Sequence, residues 1–381
     1  MRSYFFREEE TVKKVLAILL AALVVFSMVG CNNAKEGKEI AVVTDVGQLM
    51  DGGFNQGTYE GAEAYAKANN KTYMYYQPAN GSSATDNDRV AAMRQAIANG
   101  AKVIVAPGFL QAAAMTTVAM ASPDVKFIFV DGWALDSKGD GTGEILKNVT
   151  AIVYKEQESG YLAGYAAVKD GYTKLGGTFG GGGSNPACNR FAYGYVQGAK
   201  DAAEELGVDV EIRISFKYGG SFSASPELVA QMGSWYSAGT EVVFSCGGSM
   251  VQSVIQAAQE TANGKVIGVD TDQSGLSDRV ITSAMKGLSA SVQKVLGEYY
   301  KGEWDAKLGG KASNLGAADD ATGLPISTSR FNKFSQADYE AIYAKVKSGA
   351  VTPDANVDGC DKADFWTKAV EGSHVTVIFE E

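Results

Sequence analysis

Histidine and cysteine are scarce in this chain of 381 residues, which contains one histidine and four cysteines. With His374 as the only histidine, a histidine general base or a catalytic triad has no source. No CxxC or Cys/His spacing typical of a metal site occurs, so we predict neither a metal nor a cofactor. A hydrolase that uses paired carboxylates, such as Asp45 and Asp51, is the enzymatic alternative. We predict no catalytic residues and a function other than catalysis.

Positive charge is also in short supply. The chain has 34 lysines and arginines against 44 aspartates and glutamates, and no basic cluster occurs. Nucleic-acid binding needs a basic surface, so we exclude nucleic acid as a partner. An uncharged nucleoside is not excluded by this argument.

The sequence lacks an apolar run of comfortable membrane-spanning length. Lys13 and Lys14 precede a run of fifteen apolar or small residues that ends before Gly30 and Cys31. A basic region, a short apolar region and a small residue are typical of a secretory signal peptide, which we assign to residues 1–30.

A cysteine directly after a small residue resembles a bacterial lipobox. We predict that Cys31 carries a lipid, and that the polar residues 31–38 tether the protein to the extracytoplasmic face of the cell membrane. The acidic triplet Glu8–Glu10 is unusual in a leader, so translation starts either at Met1 or near Val12.

Three cysteines remain after this assignment. An odd number cannot pair completely within one chain, and we interpret Cys188, Cys246 and Cys360 as buried free thiols. A single disulfide among them is the alternative.

Short apolar runs alternate with helical patterns through most of the chain. The predicted strands are 40–43, 72–76, 103–106, 126–130, 175–179, 210–216, 242–245, 266–269 and 280–285. The predicted helices include 88–99, 110–121, 154–170, 190–206, 226–238, 249–262 and 289–301. This order predicts an α/β fold in which parallel sheets are covered by helices on both faces.

The pattern repeats, which predicts two doubly wound lobes joined by a hinge, with a cleft between them. We assign residues 39–154 and about 287–320 to the first lobe. Residues 155–286 and about 321–381 form the second. The helix over 154–170 is predicted to cross from one to the other.

Carboxylates and aromatic residues cluster where predicted strands end. Asp45, Asp131 and Asp270 each close an apolar run, and the nearby aromatic residues are Phe54, Phe109, Trp133 and Phe244. Ligands of open α/β sheets bind at the carboxyl ends of the strands. Aromatic faces stack on planar rings and carboxylates accept hydrogen bonds from hydroxyl groups, so the pattern predicts a flat, neutral, hydroxylated ligand.

The segment DVGQLMDGGFNQGTYEG (Asp45–Gly61) resembles the signature of the basic membrane protein family of lipoproteins, which includes purine nucleoside receptors. Further similar segments, in the same order, are VIVAPG, FVDG, ESGYLAGYAA, VVFSCGG, VIGVDTDQ and ITSAMK. The resemblance implies a type I periplasmic-binding fold and a monomeric, lipid-anchored receptor. It also implies that the receptor delivers nucleosides, purines above all, to the permease subunits of an ABC importer.

The resemblance also implies roles for individual residues. Phe54 and Phe244 sandwich the base, and Asp131 faces the base edge. Asp45 and Asn55 line the first lobe. Asp270 and Lys286 hold the ribose hydroxyls. Gly247, Phe109 and Trp133 are further predicted contacts.

Departures from the family pattern concern ligand choice more than fold. Gly53 stands where the family has serine, and Gly52 replaces a common lysine. A sugar or autoinducer receptor of the same fold is therefore an alternative, and a nucleoside hydrolase is a second one from another class.

Overall fold

The computed structural model describes residues 38–46, 48–220 and 222–380. The predicted signal peptide, Cys31 and all of the predicted tether except Lys38 lie outside the described residues. Within the described ranges, no helix is both long enough and apolar enough to cross a membrane.

Strands and helices alternate along the chain. The strands are β1 (Ile40–Val43), β2 (Tyr73–Tyr76), β3 (Val103–Pro107), β4 (Lys126–Val130), β5 (Val149–Tyr154), β6 (Lys174–Phe179), β7 (Val210–Ser215), β8 (Val242–Cys246), β9 (Lys265–Asp270), β10 (Val280–Lys286), β11 (Ala312–Leu315), β12 (Thr322–Gly323) and β13 (Val375–Glu380). The α-helices are α1 (Phe54–Ala68), α2 (Asp86–Ala98), α3 (Ala112–Ala121), α4 (Glu156–Asp170), α5 (Pro186–Leu206), α6 (Pro226–Ser237), α7 (Met250–Gln259), α8 (Leu288–Tyr300), α9 (Gln336–Ser348) and α10 (Ala363–Ala369).

The first sheet has the strand order β11-β5-β4-β3-β1-β2, and its strands are parallel. Strand β1 is apolar throughout because both of its faces are covered. Ile40 packs in a cluster with residues of α1 and α8, whereas Ala41 packs with residues of α2 and α3.

The second sheet has the strand order β12-β10-β9-β8-β6-β7-β13 and is parallel except that β12 runs antiparallel to β10. Helices α4 and α5 pack closely because glycines face the neighbouring backbone. A β-carbon at Gly164 would lie 2.0 Å from the Tyr195 carbonyl oxygen, and one at Gly198 would lie 1.9 Å from that of Tyr161. These two layers of parallel strands and helices confirm the predicted α/β fold with two lobes.

The chain crosses between the sheets at three places: from β5 into α4, from β10 into α8, and from β11 to β12. Hydrogen bonds join the first crossing to the third. The Glu158 carboxylate accepts one from the Ala317 amide (2.6 Å) and one from the Thr322 hydroxyl (2.8 Å). Crossings that are linked in this way form a hinge.

Several predicted boundaries are wrong. The helix predicted over 154–170 begins at Glu156, because Tyr154 closes β5, a strand that the prediction lacks. Helix α5 begins four residues before the predicted Arg190, since the Asn185 side chain accepts hydrogen bonds from the amides of Ala187 and Cys188 and so caps the helix at Pro186.

Candidate ligand-binding cleft

A cleft of about 750 Å³ lies between the carboxyl ends of the two sheets. Its walls come from loops that follow strands of both sheets, the position at which open α/β sheets bind ligands. The volume lies within the range of small-molecule sites. Of the predicted site residues, those that line the cleft are Asp45, Phe54, Asn55, Phe109, Asp131, Trp133, Gly247, Asp270 and Lys286.

Lys286, at the end of β10, is surrounded by carboxylates. Its ammonium group forms an ion pair with Asp131, and it lies 3.4 Å from the Glu156 carboxylate and 3.7 Å from that of Asp270. The Lys286 side chain is only 3% exposed. Asp131 follows a strand of the first sheet and Lys286 ends a strand of the second, so this cluster bridges the two halves of the cleft.

Glu156 and Arg190 extend the cluster, and neither was among the predicted site residues. The Arg190 guanidinium donates to the Glu156 carboxylate across 2.6 Å. Among the described residues, the second carboxylate oxygen of Asp131 is buried and has no hydrogen-bond partner. The corresponding Glu156 oxygen has no hydrogen-bond partner either, but it is the one that lies 3.4 Å from the Lys286 ammonium. The Asp131 oxygen is therefore the one with unused acceptor capacity.

Burial and mutual charge shift the pKa values in this cluster. Burial raises the pKa of Asp270 to about 7, although Lys286 opposes the shift. Burial also raises the pKa of Asp131 against the opposing effect of Lys286. For Lys286, burial lowers the pKa, but the three carboxylates outweigh it and the net shift is well above the usual value. Lys286 thus stays charged, and Asp270 titrates near neutral pH.

Asp131 and Asp270 also have unusual backbones. Their φ angles are +56° and +66°, which non-glycine residues rarely adopt. Such backbones persist only where the surrounding structure holds them, and they are concentrated at functional sites.

The loop after β1 supplies a second polar group. The Asp45 carboxylate lies 3.4 Å from the Arg89 guanidinium, and both side chains are buried. Burial raises the pKa of Asp45 to about 7, while Arg89 lowers it. The Asn55 side chain accepts from the Asp45 amide (3.4 Å) and donates to the Val46 carbonyl (3.0 Å), so it holds this loop in place.

Asp51 has a structural role in the same loop. Its carboxylate accepts from the backbone amides of Gly53 (2.8 Å), Asn55 (3.0 Å) and Gln56 (3.2 Å). These are donors at the beginning of α1 that the helix itself cannot satisfy. Asp51 is therefore engaged with the first turn of α1.

Phe54 is the first residue of α1, and its ring centroid lies 5.2 Å from the Lys286 ammonium. This places an aromatic face beside the polar cluster. A planar ligand that stacks on Phe54 would therefore lie within reach of hydrogen-bonding groups.

The prediction that Phe244 lines the cleft is wrong. Phe244 is 0% exposed and packs within the second lobe, with ring centroids 5.4 Å from Phe179, 5.9 Å from Phe191 and 5.4 Å from Tyr195. The reason is its position in the middle of β8, where the side chain points into the helix layer rather than toward the strand end.

Two aromatic residues of the second lobe line the cleft among the described residues, Phe222 and the buried Phe191 of α5, and Phe222 is the more exposed of the two. It lies in the segment KYGGSFSASPE after β7, and its own φ is +56°. Its ring rests on glycine backbone, since a β-carbon at Gly180 would lie 2.5 Å from the ring and one at Gly247 would lie 3.0 Å from it. Gly180 and Gly247 are distant from Phe222 in the sequence, so no local pattern marks this residue.

The remaining predicted contacts lie around the cleft mouth. Trp133 is 49% exposed, and its ring packs against Phe129 at 5.5 Å. Phe109 follows Gly108, whose φ is +98°. Asp45 packs against Gly108 so closely that a β-carbon there would lie 2.0 Å from its carboxylate.

The single histidine of the sequence does not line the cleft. His374 lies at the surface, 3.0 Å from Asp209. No group of three or more histidine, cysteine, aspartate or glutamate side chains within the described ranges is arranged to hold a metal ion.

The sequence matches a known family of proteins. The family described as "ABC transporter substrate-binding protein PnrA-like" matches residues 38–351. The ABC transporter nucleoside-binding protein BmpA of Lactococcus lactis is 32% identical over 283 residues, which are 68% of this chain and 74% of that protein. Basic membrane protein B of Borreliella burgdorferi is 32% identical over 232 residues, 60% of this chain and 63% of that protein.

Solved structures show the same fold. A solute-binding protein of an ABC transporter system from Aeropyrum pernix superposes with a TM-score of 0.70 at 21% identity, covering 87% of this chain and 97% of that one. A second such protein, from Conexibacter woesei, gives a TM-score of 0.61 at 21% identity, covering 83% of this chain and 98% of that one. These similarities confirm the predicted periplasmic-binding architecture.

Proposed function

The chain belongs to the PnrA-like family of ABC transporter substrate-binding proteins, and we propose that it captures nucleosides, purine nucleosides above all, in the cleft between its two lobes. As a member of this family it is a binding protein that works with a transporter outside the cytoplasm. The nucleoside ligand is supported by the printed name of the Lactococcus lactis relative and by the chemistry of the cleft.

One observation carries the proposal: Lys286, the buried carboxylates of Glu156 and Asp270 and the partly buried carboxylate of Asp131 lie directly beside an aromatic face. Ribose hydroxyls both donate and accept, and a site with an ammonium group next to carboxylates satisfies both needs. The Asp131 oxygen that lacks a partner among the described residues is an acceptor ready for a ligand donor. The Phe54 ring, whose centroid is 5.2 Å from the ammonium, supplies the apolar half of the site.

We assign the base to the space between Phe54 and Phe222. The two rings come from opposite lobes, so a base stacked on both would tie the lobes together. Asp45, Asn55 and Asp131 are the proposed partners of the base edge, and Asp270 and Lys286 those of the ribose.

Binding would favour the closed arrangement of the lobes, because a closed cleft satisfies both sets of partners at once. In this proposal residues 39–154 with about 287–320 move against residues 155–286 with about 321–381. The protein acts as a monomer that Cys31 anchors to the membrane through lipid, and it passes the nucleoside to the permease subunits of an importer.

Calorimetry on the purified full-length protein tests the proposal. Guanosine, inosine, adenosine and cytidine should be compared with ribose alone. We expect heat with purine nucleosides and none with ribose. Heat with ribose but with no nucleoside would identify a pentose receptor, and release of free base during incubation would identify a hydrolase. No heat with any of the four nucleosides would refute the proposal.

The stacking role of Phe222 has its own test. Stacking of a base on an aromatic side chain contributes about 1 to 3 kcal/mol. Phe222→Ala should therefore weaken guanosine binding by about fivefold to 150-fold. Phe365→Ala is the matched control, because Phe365 is also partly buried but packs against Tyr193 outside the cleft (4.9 Å), and it should leave affinity unchanged. Equal effects of the two substitutions would remove Phe222 from the site.

A further inference from the structure

We propose that Cys188 and Cys246 are a redox-active pair of thiols in the ligand cleft, and that their oxidation to a disulfide weakens ligand binding. The inference about affinity rests on the proposed function. The formation of the disulfide can be measured without any ligand.

The two cysteines come together although they are far apart in the sequence. Cys188 lies in the first turn of α5 and Cys246 ends β8, and both line the cleft. The Cys188 sulfur lies 3.9 Å from the Cys246 carbonyl oxygen and donates to it. Burial, followed by a hydrogen bond with the Cys188 thiol, raises the pKa of Cys246 well above its usual value. Both are free thiols.

The third described cysteine is separate from this pair. Cys360 is 1% exposed and does not line the cleft; its carbonyl accepts from the Trp366 indole across 2.7 Å. An internal disulfide, the alternative left open by the sequence, would therefore join Cys188 to Cys246 and not to Cys360.

Both cysteines are adjacent to residues that shape the site. Cys246 precedes Gly247 and Gly248, whose backbones pack against Phe222. Cys188 is followed two residues later by Arg190, which binds Glu156. A disulfide requires the sulfurs to approach to about 2.05 Å. Because Cys246 adjoins the glycines under Phe222 and Cys188 lies in the first turn of α5, we expect closure of this bond to displace one of these two segments.

The oxidant in this scheme is a small-molecule disulfide, a class that is available outside the cytoplasm. Cys188, a residue that is 7% exposed, attacks the oxidant with its sulfur as a thiolate and forms a mixed disulfide, releasing one thiol. The sulfur of Cys246, a residue that is 1% exposed, loses its proton and attacks the mixed disulfide at Cys188. The products are the Cys188–Cys246 disulfide and a second released thiol, so the two electrons and two protons of the protein thiols end on the oxidant.

Access to the pair depends on the cleft. Both cysteines line the cleft, so a bound ligand that fills it should shield Cys188 from the oxidant. We therefore expect a bound ligand to slow formation of the disulfide, and the disulfide to weaken binding of the ligand.

The experiment uses the full-length protein with Cys31→Ser, incubated with oxidised glutathione and then digested for peptide mapping by mass spectrometry. We expect a cross-link between the peptides of Cys188 and Cys246, formed more slowly when guanosine is present. Cys360→Ala is the matched control and should still form it. Cys246→Ser should instead leave one glutathione on Cys188.

Calorimetry with guanosine is then performed on the reduced, oxidised and re-reduced protein. A displacement of about 1 Å in a binding site has large effects, so we expect oxidation to weaken binding at least about tenfold, with recovery after reduction. Absence of the cross-link, or an unchanged affinity in fully cross-linked protein, would overturn the proposal. If the reduced protein binds no nucleoside, the proposed function fails, while the peptide map still decides whether the thiol pair is redox-active.

Discussion

Substitution of Lys286 by methionine tests how the cleft tolerates its buried charges. The substitution keeps most of the side-chain volume and removes the ammonium group that faces Asp131, Glu156 and Asp270. Removal of one partner of a buried ion pair typically lowers the free energy of unfolding by about 3 to 5 kcal/mol, since the remaining charge stays buried without compensation. We expect a loss of that size at pH 7.5, because the Lys286 side chain is only 3% exposed.

The matched control is Lys347→Met, which breaks an ion pair with Asp320 at the surface. There the two side chains are 42% and 68% exposed, so solvent screens the pair. Exposed ion pairs contribute at most about 1 kcal/mol. The two substitutions make the same chemical change, and only burial separates their expected effects.

The effect of Lys286→Met on the free energy of unfolding should also depend on pH. The pKa of Asp270 in the folded protein is about 7, above its ordinary value of 3.8. Between those values the folded state binds more protons than the unfolded state, so this group's contribution to stability rises as pH falls. Loss of Lys286 raises the folded pKa further. Protonation of the uncompensated carboxyl at pH 5.5 should therefore relieve part of the destabilisation.

Urea unfolding at pH 7.5 and pH 5.5 measures both effects. We expect the loss caused by Lys286→Met to exceed that of Lys347→Met at pH 7.5 and to become smaller at pH 5.5. A loss no larger than that of the surface control, or one that grows as the pH falls, would refute the reasoning about the cluster.

Three further predictions concern the core of the second lobe, the loop after β3 and a contact between the lobes. Phe244→Ala should lower the free energy of unfolding by about 3 to 5 kcal/mol in urea, because its ring is fully buried; unchanged stability would contradict its assignment to the core. Gly108→Ala should abolish guanosine binding in calorimetry, because φ at Gly108 is +98° and a β-carbon there would lie 2.0 Å from the Asp45 carboxylate. Gly233→Ala is the control and should leave binding unchanged, since a β-carbon at Gly233 would have no atom within 4 Å. Gln273→Leu removes the 2.9 Å hydrogen bond that the Gln273 side chain donates to the Gly52 carbonyl, in the loop between β1 and α1. This hydrogen bond joins the two lobes. Small-angle scattering should show a larger radius of gyration for this variant without ligand, and an unchanged curve would exclude the contact as a determinant of closure.

Strands that are buried on both faces could be predicted from the sequence. Strands β1 (Ile40–Val43) and β4 (Lys126–Val130) have the predicted ends, since a covered parallel strand requires a continuous apolar run. Strand β11 (Ala312–Leu315) could not be predicted, because it lies in a glycine-rich polar segment and is largely exposed. Its strand conformation comes from pairing with β5, which is distant in sequence.

The residues of the candidate site also fall into those that the sequence could predict and those that it could not. Asp45, Asp131 and Asp270 follow apolar runs, and a carboxylate after a buried strand is recognisable from sequence because parallel strands end at one edge. Phe222 carries no such signal, since it lies in an irregular loop with a left-handed backbone.

The amino-acid sequence by itself determined the alternation of strands and helices, the two lobes and the family, because these depend on local patterns and ordered motifs. The tertiary structure decided which side chains share the cleft. It moved the second aromatic face from Phe244 to Phe222, added Glu156 and Arg190 to the charge cluster, and brought Cys188 next to Cys246. The physical reason is that burial, side-chain direction and the meeting of distant segments depend on packing between elements, which no local pattern encodes.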